Sequence, residues 1–216
     1  MHIPDAFMPL TQGLVYWAIA LVFIGLSLRW ARKDMSEDRI PLVAVLAAGI
    51  FALQSFNLPV SMGTSGHLVG GALAAIVLGS PFAAVFILTL VLIVQGVIFG
   101  DGGITTMGAN IINMGVIGGF VGFYSFKGLM GATKSMNASA FAAAWFACFI
   151  PALAAAVEMY MAGTFPLREG LIAMGLYHAL IGFIEGFVTV VAIRLIMTAR
   201  PDIVKLGAES PKGVST

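Results

Sequence analysis

Long apolar stretches, separated by short polar or glycine-containing segments, make up most of the 216-residue chain. A helix needs about 20 mostly apolar residues to cross a bilayer, and windows of that length predict seven spanning helices. Their predicted ranges are 12–30, 41–60, 65–80, 81–99, 108–126, 139–162 and 171–198. No alternation typical of transmembrane strands is present. The pattern predicts one all-α membrane domain over residues 1–200, followed by a short polar cytoplasmic tail at 201–216.

Basic residues predict the orientation of these helices. Seven spans place the connecting segments alternately on two sides, and Arg168 is the one basic residue on the first side. The second side holds Arg29, Arg32, Lys33, Arg39, Lys127, Lys134, Arg194, Arg200, Lys205 and Lys212. Because cytoplasmic loops carry an excess of Lys and Arg, we expect a cytoplasmic C-terminus and an external N-terminus. A cleavable signal peptide would begin with positive charge, and no Lys or Arg precedes the first apolar run. We therefore expect the N-terminus to be retained.

The composition excludes several classes of protein. Hydrophobic residues make up 60% of the chain and charged residues 10%, against about 45–50% and about 25% in ordinary soluble domains. So few charges cannot solvate the surface of a soluble enzyme, and no basic face is available for nucleic acid. Cys148 is the one cysteine, which excludes a disulfide framework or a thiolate metal cluster.

The three histidines suggest where metal chemistry could occur. In the expected orientation, His2 and His67 both lie at the outer face, with His67 at the start of the third span. An unblocked Met1 would offer its amine, the His2 backbone nitrogen and the His2 imidazole as donors that close two chelate rings in one plane. Nitrogen donors in a plane suit Ni(II) or Cu(II), and His67 could supply the fourth. The alternative is that these histidines are ordinary polar residues, one solvated and one at a helix end.

Residues 1–9 (MHIPDAFMP) closely resemble the N-terminus of the CbiM/NikM family, the substrate-capture components of energy-coupling factor transporters for cobalt and nickel. Residues 64–71, 95–96, 100–103 and 108–115 are also similar to that family. Ala6 stands where the family usually has glycine. The resemblance implies that the metal ligands are the Met1 amine, the His2 backbone nitrogen, the His2 imidazole and the His67 imidazole, within a metal-binding segment at 1–9.

The resemblance also implies a function and partners. The chain would capture Ni²⁺ as a transported substrate, with no cofactor, in the inner membrane of a prokaryotic cell. Uptake of Co²⁺ for cobalamin synthesis is the alternative. The implied partners are a transmembrane coupling subunit, ATP-binding-cassette ATPase subunits and, as a further candidate, a small accessory membrane subunit. The chain has no GxxxxGK[ST] pattern, so we expect it not to be an enzyme and its partners to hydrolyse ATP.

A few polar residues within or near the spans are candidates to orient the imidazoles. A ligating histidine usually donates its second N–H to a fixed acceptor, and Gln95 and Asn113 are the best-placed amides for this role. Asp5 could also fold back toward the His2 peptide. Each amide could equally serve only to hold helices together.

Three further ionisable residues allow an interpretation in a different class. Glu158 and His178 could form a buried pair, and His178 and Glu185 share a helix face. A proton relay through these groups would make the chain a proton-coupled secondary metal transporter. Pairing with a structural role is the simpler expectation.

Overall fold

The protein is a bundle of helices in the computed structural model, which describes residues 1–60, 64–202 and 204. The helices are α1 (Leu10–Asp34), α2 (Ile40–Gln54), α3 (Gly71–Leu78), α4 (Pro81–Val94), α5 (Met107–Asn110), α6 (Gly118–Thr133), α7 (Met136–Met161) and α8 (Leu167–Ala199). A 3₁₀ turn at Glu37–Arg39 precedes α2. A π-helical stretch at Gln95–Phe99 continues α4, and another at Ile111–Ile117 joins α5 to α6. The described chain therefore forms seven helical rods, which confirms the predicted all-α membrane fold.

Five of the described rods are long and apolar enough to cross a membrane. They are Leu10–Asp34, Pro81–Phe99, Met107–Thr133, Met136–Met161 and Leu167–Ala199. The other two are shorter, because α2 has 15 residues and α3 has 8. At about 1.5 Å per residue they measure roughly 22 Å and 12 Å, less than the hydrocarbon core of about 30 Å.

The predicted boundaries of the second and third helices are wrong, because extended chain separates them. Strand β1 (Leu58–Val60) pairs antiparallel with strand β2 (Thr64–Gly66), and residues 67–70 continue without helix to α3. Pro59 disfavours helical backbone at the preceding residue. Gly70, the residue before α3, has φ 78°, in the left-handed region that glycine adopts readily. His67 consequently lies in this extended segment and not in a helix.

Two serines mark where helices begin. Ser80 accepts a hydrogen bond from the Phe82 N–H, with Pro81 in the first turn of α4. Ser135 accepts one from the Ala138 N–H at the start of α7. Serine side chains commonly accept from the free N–H groups at helix starts. The short polar segments between the apolar runs therefore determine where α4 and α7 begin.

Helix α3 lies at the centre of the bundle, and all eight of its residues are buried. Its neighbours are α4, α6 and α7. Close approach depends on small residues: a Cβ added at Gly122 would lie 2.7 Å from the Ala72 Cα, and one at Gly71 would lie 2.9 Å from the Met114 carbonyl oxygen. Without a hydrophobic driving force in lipid, such backbone contact holds helices together through van der Waals packing.

Four non-helical segments meet at one end of the bundle. Asn57, before the β1–β2 hairpin, hydrogen-bonds to Asp101 in the loop before α5. The chain start contacts the same loop through Asp5 and the loop before α8 through Phe7. This is the arrangement that alternating helices would give. The predicted tail at 201–216 lies almost entirely outside the described residues.

Candidate metal centre

The first residues of the chain enter the interior of the bundle. Met1 and Ile3 have no exposed surface, and His2 is 4% exposed. The Met1 amine donates a hydrogen bond to the Ser65 carbonyl in strand β2. Loss of hydration by burial lowers the pKa of this amine to about 4. The amine is therefore neutral near pH 7, which leaves its nitrogen lone pair available to a metal ion.

The imidazoles of His2 and His67 stack against each other beside the amine. Their ring centroids lie 4.3 Å apart with an angle of 27° between the planes. The Nδ1 of His67 lies 2.7 Å from the Leu68 carbonyl oxygen, so Nδ1 carries the proton and Nε2 keeps its lone pair. The buried Nε2 has no hydrogen-bond partner. Desolvation holds the pKa of His67 well below its usual value, which keeps the ring neutral.

Asp101 borders the His2 side of this cluster. Its Oδ1 lies 3.2 Å from the His2 Nδ1, although neither ring nitrogen of His2 has a hydrogen bond of good geometry. Burial lowers the pKa of His2 despite the neighbouring carboxylate. The contact with His2 lowers the pKa of Asp101 in turn, and the Asn57 amide assists from the other side. A negative charge therefore lies at the edge of the two rings.

Asn110 holds the peptide that follows His2, a role that sequence analysis did not assign. Its Oδ1 accepts a hydrogen bond from the Ile3 N–H at 2.8 Å, and its Nδ2 donates to the Ile3 carbonyl at 3.1 Å. The same carbonyl accepts from the Thr106 hydroxyl at 2.6 Å and from the Gly103 N–H at 3.2 Å. The similarity at residues 108–115 marked this region, but an amide in an apolar run does not reveal its partner.

Asp5 anchors the chain start to the loop before α5. Its carboxylate accepts hydrogen bonds from the backbone N–H groups of Ile104 and Thr105, at 3.1 and 2.9 Å, and from the Thr105 hydroxyl. These bonds go to the loop and not to an imidazole. The next residue, Ala6, has φ 70°, which explains why glycine would be favoured there.

The two predicted amides have different surroundings. Gln95 is buried beside His2 and contributes to the environment of that ring, and its backbone carbonyl also accepts a hydrogen bond from the Asp101 N–H at 3.0 Å. Asn113 instead donates to the Glu158 carboxylate at 2.7 Å. The structure therefore places Gln95 next to the candidate centre, whereas the amide group of Asn113 joins its helix to α7.

The residues of the suggested proton relay have separate partners. Glu158 accepts from Asn113, while the His178 Nδ1 lies 2.8 Å from the Met174 carbonyl oxygen in its own helix. The Glu185 carboxylate accepts from the backbone N–H groups of Val69 and Gly70. Among the described residues, no hydrogen bond or ion pair links these three side chains.

The donors at this centre are mainly nitrogens. Within the described ranges, no group of three or more His, Cys, Asp or Glu side chains could hold a metal ion. Two imidazoles with unpartnered ring nitrogens and a neutral amine nevertheless lie together, and all three are buried. Buried polar atoms without partners are uncommon in proteins, and here they are the kind of donor that binds late transition metals.

Comparisons with known proteins agree with this chemistry. The family model described as "CbiM: Cobalt uptake substrate-specific transmembrane region" matches residues 2–203. A protein of Archaeoglobus fulgidus named "Putative fused nickel transport protein NikMN" is 37% identical over 214 residues, covering 98% of this chain and 70% of that protein. The cobalt transport protein CbiM of Geobacter sulfurreducens is 32% identical over 225 residues, 99% of this chain and 64% of that protein. The crystal structure of a truncated transition metal transporter superposes with a TM-score of 0.87 and 28% identity, covering 92% of this chain and 99% of that one.

Proposed function

The chain belongs to the CbiM family of cobalt-uptake substrate-specific transmembrane regions, and from that premise we propose that it captures one Ni²⁺ ion for uptake. It is a multi-pass membrane protein, and its relatives are nickel and cobalt transport proteins. In our proposal the ion binds at the Met1 amine, the His2 backbone nitrogen, the His2 Nδ1 and the His67 Nε2. The ion is the substrate that the protein passes on.

One observation carries this proposal: the start of the chain is buried against an imidazole whose Nε2 lacks a partner. Burying a charged terminus without compensation is costly, and the amine here is neutral instead. An amine, the next peptide nitrogen and the Nδ1 of the second side chain can chelate one ion in a plane. His67 approaches from a different part of the chain and completes four nitrogens.

Nickel suits this donor set better than cobalt does. Low-spin Ni(II) favours four nitrogens in a plane, and the planar geometry would select it over ions that prefer tetrahedral or octahedral sites. Divalent copper has a higher general affinity than nickel for such donors, so it would bind at least as tightly in vitro. Cobalt uptake is the alternative within the same family, and the metal titration described below distinguishes the two.

The membrane arrangement follows from charge. The excess of basic residues at the other end of the bundle supports a chain start that faces outward, where it would meet the incoming ion. The chain has no phosphate-binding loop of the Walker type. We therefore propose that a transmembrane coupling subunit and ATPase subunits supply the energy, with a small accessory membrane subunit as a further candidate partner.

A metal titration of the purified full-length protein with its native N-terminus tests the proposal. We expect one Ni²⁺ per chain and the yellow, diamagnetic complex of planar nickel. The decisive variant carries Met-Lys-Leu-Ser before Met1, which replaces the amine by a peptide nitrogen. Because Met1 is fully buried, the extended start cannot dock, and the planar absorption should disappear.

The matched control carries the same residues after Thr216 and should bind nickel as the native chain does. Undiminished nickel binding by the N-terminally extended protein would exclude the proposed ligands. Tighter binding of Co²⁺, with a spectrum unlike planar nickel, would favour the cobalt alternative. Uptake by the isolated chain in proteoliposomes, driven by a pH gradient without ATP, would favour the proton-coupled secondary transporter.

A further inference from the structure

The segment that carries His67 lies in the interior of the bundle, and none of its residues before Gly70 belongs to a helix. Residues 67–70 belong to neither helix nor strand and are largely buried between strand β2 and helix α3. Irregular backbone at membrane depth is tolerated only where protein groups satisfy its N–H and C=O groups. The partners of this segment therefore determine where its backbone, and with it His67, can lie.

Two buried side chains from different helices supply those partners. Glu185 of α8 accepts the Val69 N–H at Oε2, 2.6 Å away, and the Gly70 N–H at Oε1, 2.7 Å away. Gln54 of α2 donates from Nε2 to the Val69 carbonyl at 2.7 Å. Both side chains are at most 2% exposed. We call Glu185 and Gln54 the backbone clamp.

The clamp fixes both the position and the rotation of the segment. Hydrogen bonds from two successive N–H groups to the two oxygens of one carboxyl group resist sliding and twisting, because a paired arrangement fixes geometry as well as distance. Gly70 packs closely against Ile50, because a Cβ added at this position would lie 2.7 Å from a side-chain atom of Ile50. The His67 ring is attached in turn to the Leu68 carbonyl, so its direction depends on the clamped backbone.

We propose that Glu185 and Gln54 are positioning residues of the metal site, which hold residues 67–70 so that the His67 Nε2 faces the chain start. This inference rests on the proposed function, because it requires His67 to bind the ion. It assigns a role to a buried carboxylate that, within the described part of the chain, forms no ion pair. Glu185 acts through the backbone and does not touch the metal.

Nickel titration of four purified full-length proteins tests the proposal: the native chain, Glu185→Gln, Gln54→Leu and Glu158→Gln. In Glu185→Gln the amide oxygen can still accept from one of the two backbone N–H groups. The amide NH₂ faces the other N–H, and two donors cannot form a hydrogen bond. Gln54→Leu keeps a side chain of similar size and leaves the Val69 carbonyl without its donor. Loss of such outer partners typically lowers metal affinity about 10–100-fold, and we expect a change of this size with a shifted planar absorption band.

Glu158→Gln is the matched control, because Glu158 is also a buried carboxylate and accepts a hydrogen bond from the Asn113 amide. The hydrogen bonds of residues 67–70 within the described chain go to other side chains. We expect the nickel affinity of Glu158→Gln to equal that of the native chain. A double-mutant cycle then combines Glu185→Gln with His67→Ala. If Glu185 acts through His67, its substitution should change the residual affinity of the His67→Ala protein by less than about twofold, since coupled residues are not additive.

Native affinity in both clamp variants would overturn the inference. So would an equal loss of affinity from Glu185→Gln with and without His67, since that pattern indicates a general loss of fold. If Glu185→Gln does not yield folded protein, Gln54→Leu decides the question by the same criteria. Absence of planar nickel in the native chain would instead contradict the proposed function, whereas a normal native complex with unaffected clamp variants contradicts this inference alone.

Discussion

The chain start and the segment that carries His67 meet at one site, but different parts of the molecule hold them. The chain start is attached covalently at one end only; it contacts Asn110 of α5 through Ile3 and the loop before α5 through Asp5. Residues 67–70 are attached at both ends and are bound inside the bundle by Gln54 and Glu185. Both halves of the candidate site are buried, but the first, the docked end, is a free chain end held by its contacts and the second is covalently continuous with the bundle on both sides.

This difference has a physical consequence for capture. The hydrogen bonds of Asp5 are exposed, so water can replace them at small net cost when the chain start leaves. The backbone of residues 67–70 has no such substitute within the bundle. We therefore expect the ion to enter and leave by movement of the chain start, with His67 as the fixed ligand.

The first prediction removes the imidazole from the docked end. His2→Ala eliminates the six-membered chelate ring and leaves only the amine and a peptide nitrogen beside His67. We expect no saturable binding up to about 1 mM Ni²⁺, a binding free energy weaker than about −4 kcal/mol. Isothermal titration of the purified variant checks this result. Micromolar binding with a planar spectrum would show that the docked end does not provide the chelate.

The second prediction removes the fixed ligand. His67→Ala should leave the three nitrogens of the chain start and a weaker site. The loss should exceed the roughly 100-fold upper range for outer partners, but nickel binding should remain measurable. His178→Ala is the matched control, because its Nδ1 also contacts a backbone carbonyl and its buried Nε2 also lacks a partner. Equal losses in the two variants would contradict the assignment of His67.

The third prediction loosens the docked end without touching a ligand. Asn110→Ala removes both hydrogen bonds to the Ile3 peptide, and we expect about 10–100-fold weaker nickel binding. Asn113→Ala, one helical turn further on, removes the hydrogen bond to the buried Glu158 carboxylate. This substitution should lower the melting temperature and leave nickel affinity near native. The opposite pattern would mean that Asn113 orients the imidazoles, as the sequence suggested.

The fourth prediction concerns charge at the edge of the site. A divalent ion bound by one deprotonated peptide nitrogen carries a net charge of about +1, and the Asp101 carboxylate can balance it from beside His2. For a partly exposed pair of charges we expect about 1 kcal/mol or less, so Asp101→Asn should weaken binding by at most about fivefold. The effect should shrink at high salt. Nickel affinity of the native and Asp101→Asn proteins should be measured at two ionic strengths. An effect of the substitution that does not change with salt would contradict this explanation.

The smallest expected effect is a gain. Ala6 has φ 70°, and the left-handed region costs a non-glycine residue roughly 1–2 kcal/mol. Ala6→Gly relieves this cost but frees the undocked chain, so we expect nickel affinity to rise by about twofold to fivefold. Pro59→Ala, in strand β1, should have no such effect. A loss of affinity in Ala6→Gly would show that the turn is not strained in the docked state.

The sequence predicted the fold more completely than the surroundings of the site. Hydropathy identified seven helices because the bilayer requires long apolar runs. It extended the second and third helices too far, because hydropathy does not report backbone conformation and residues 55–60 and 65–70 are not helical. Gln95 lies near His2, whereas Asn113, an amide in a similar apolar context, bonds Glu158 of another helix; the role of either amide in orienting an imidazole stays a prediction.

What the sequence determined by itself was the class of protein, and it also provided the candidate metal donors. The high apolar and low charged content indicates a membrane protein. Met1 and His2 are consecutive, so their candidate donor nitrogens are neighbours before the chain folds. Only the tertiary structure decided which distant groups hold the backbone near these donors. Asn110 bonds Ile3, and Gln54 and Glu185 bond Val69, across 15 to 116 positions of sequence separation. Such pairings depend on how helices pack and not on local pattern.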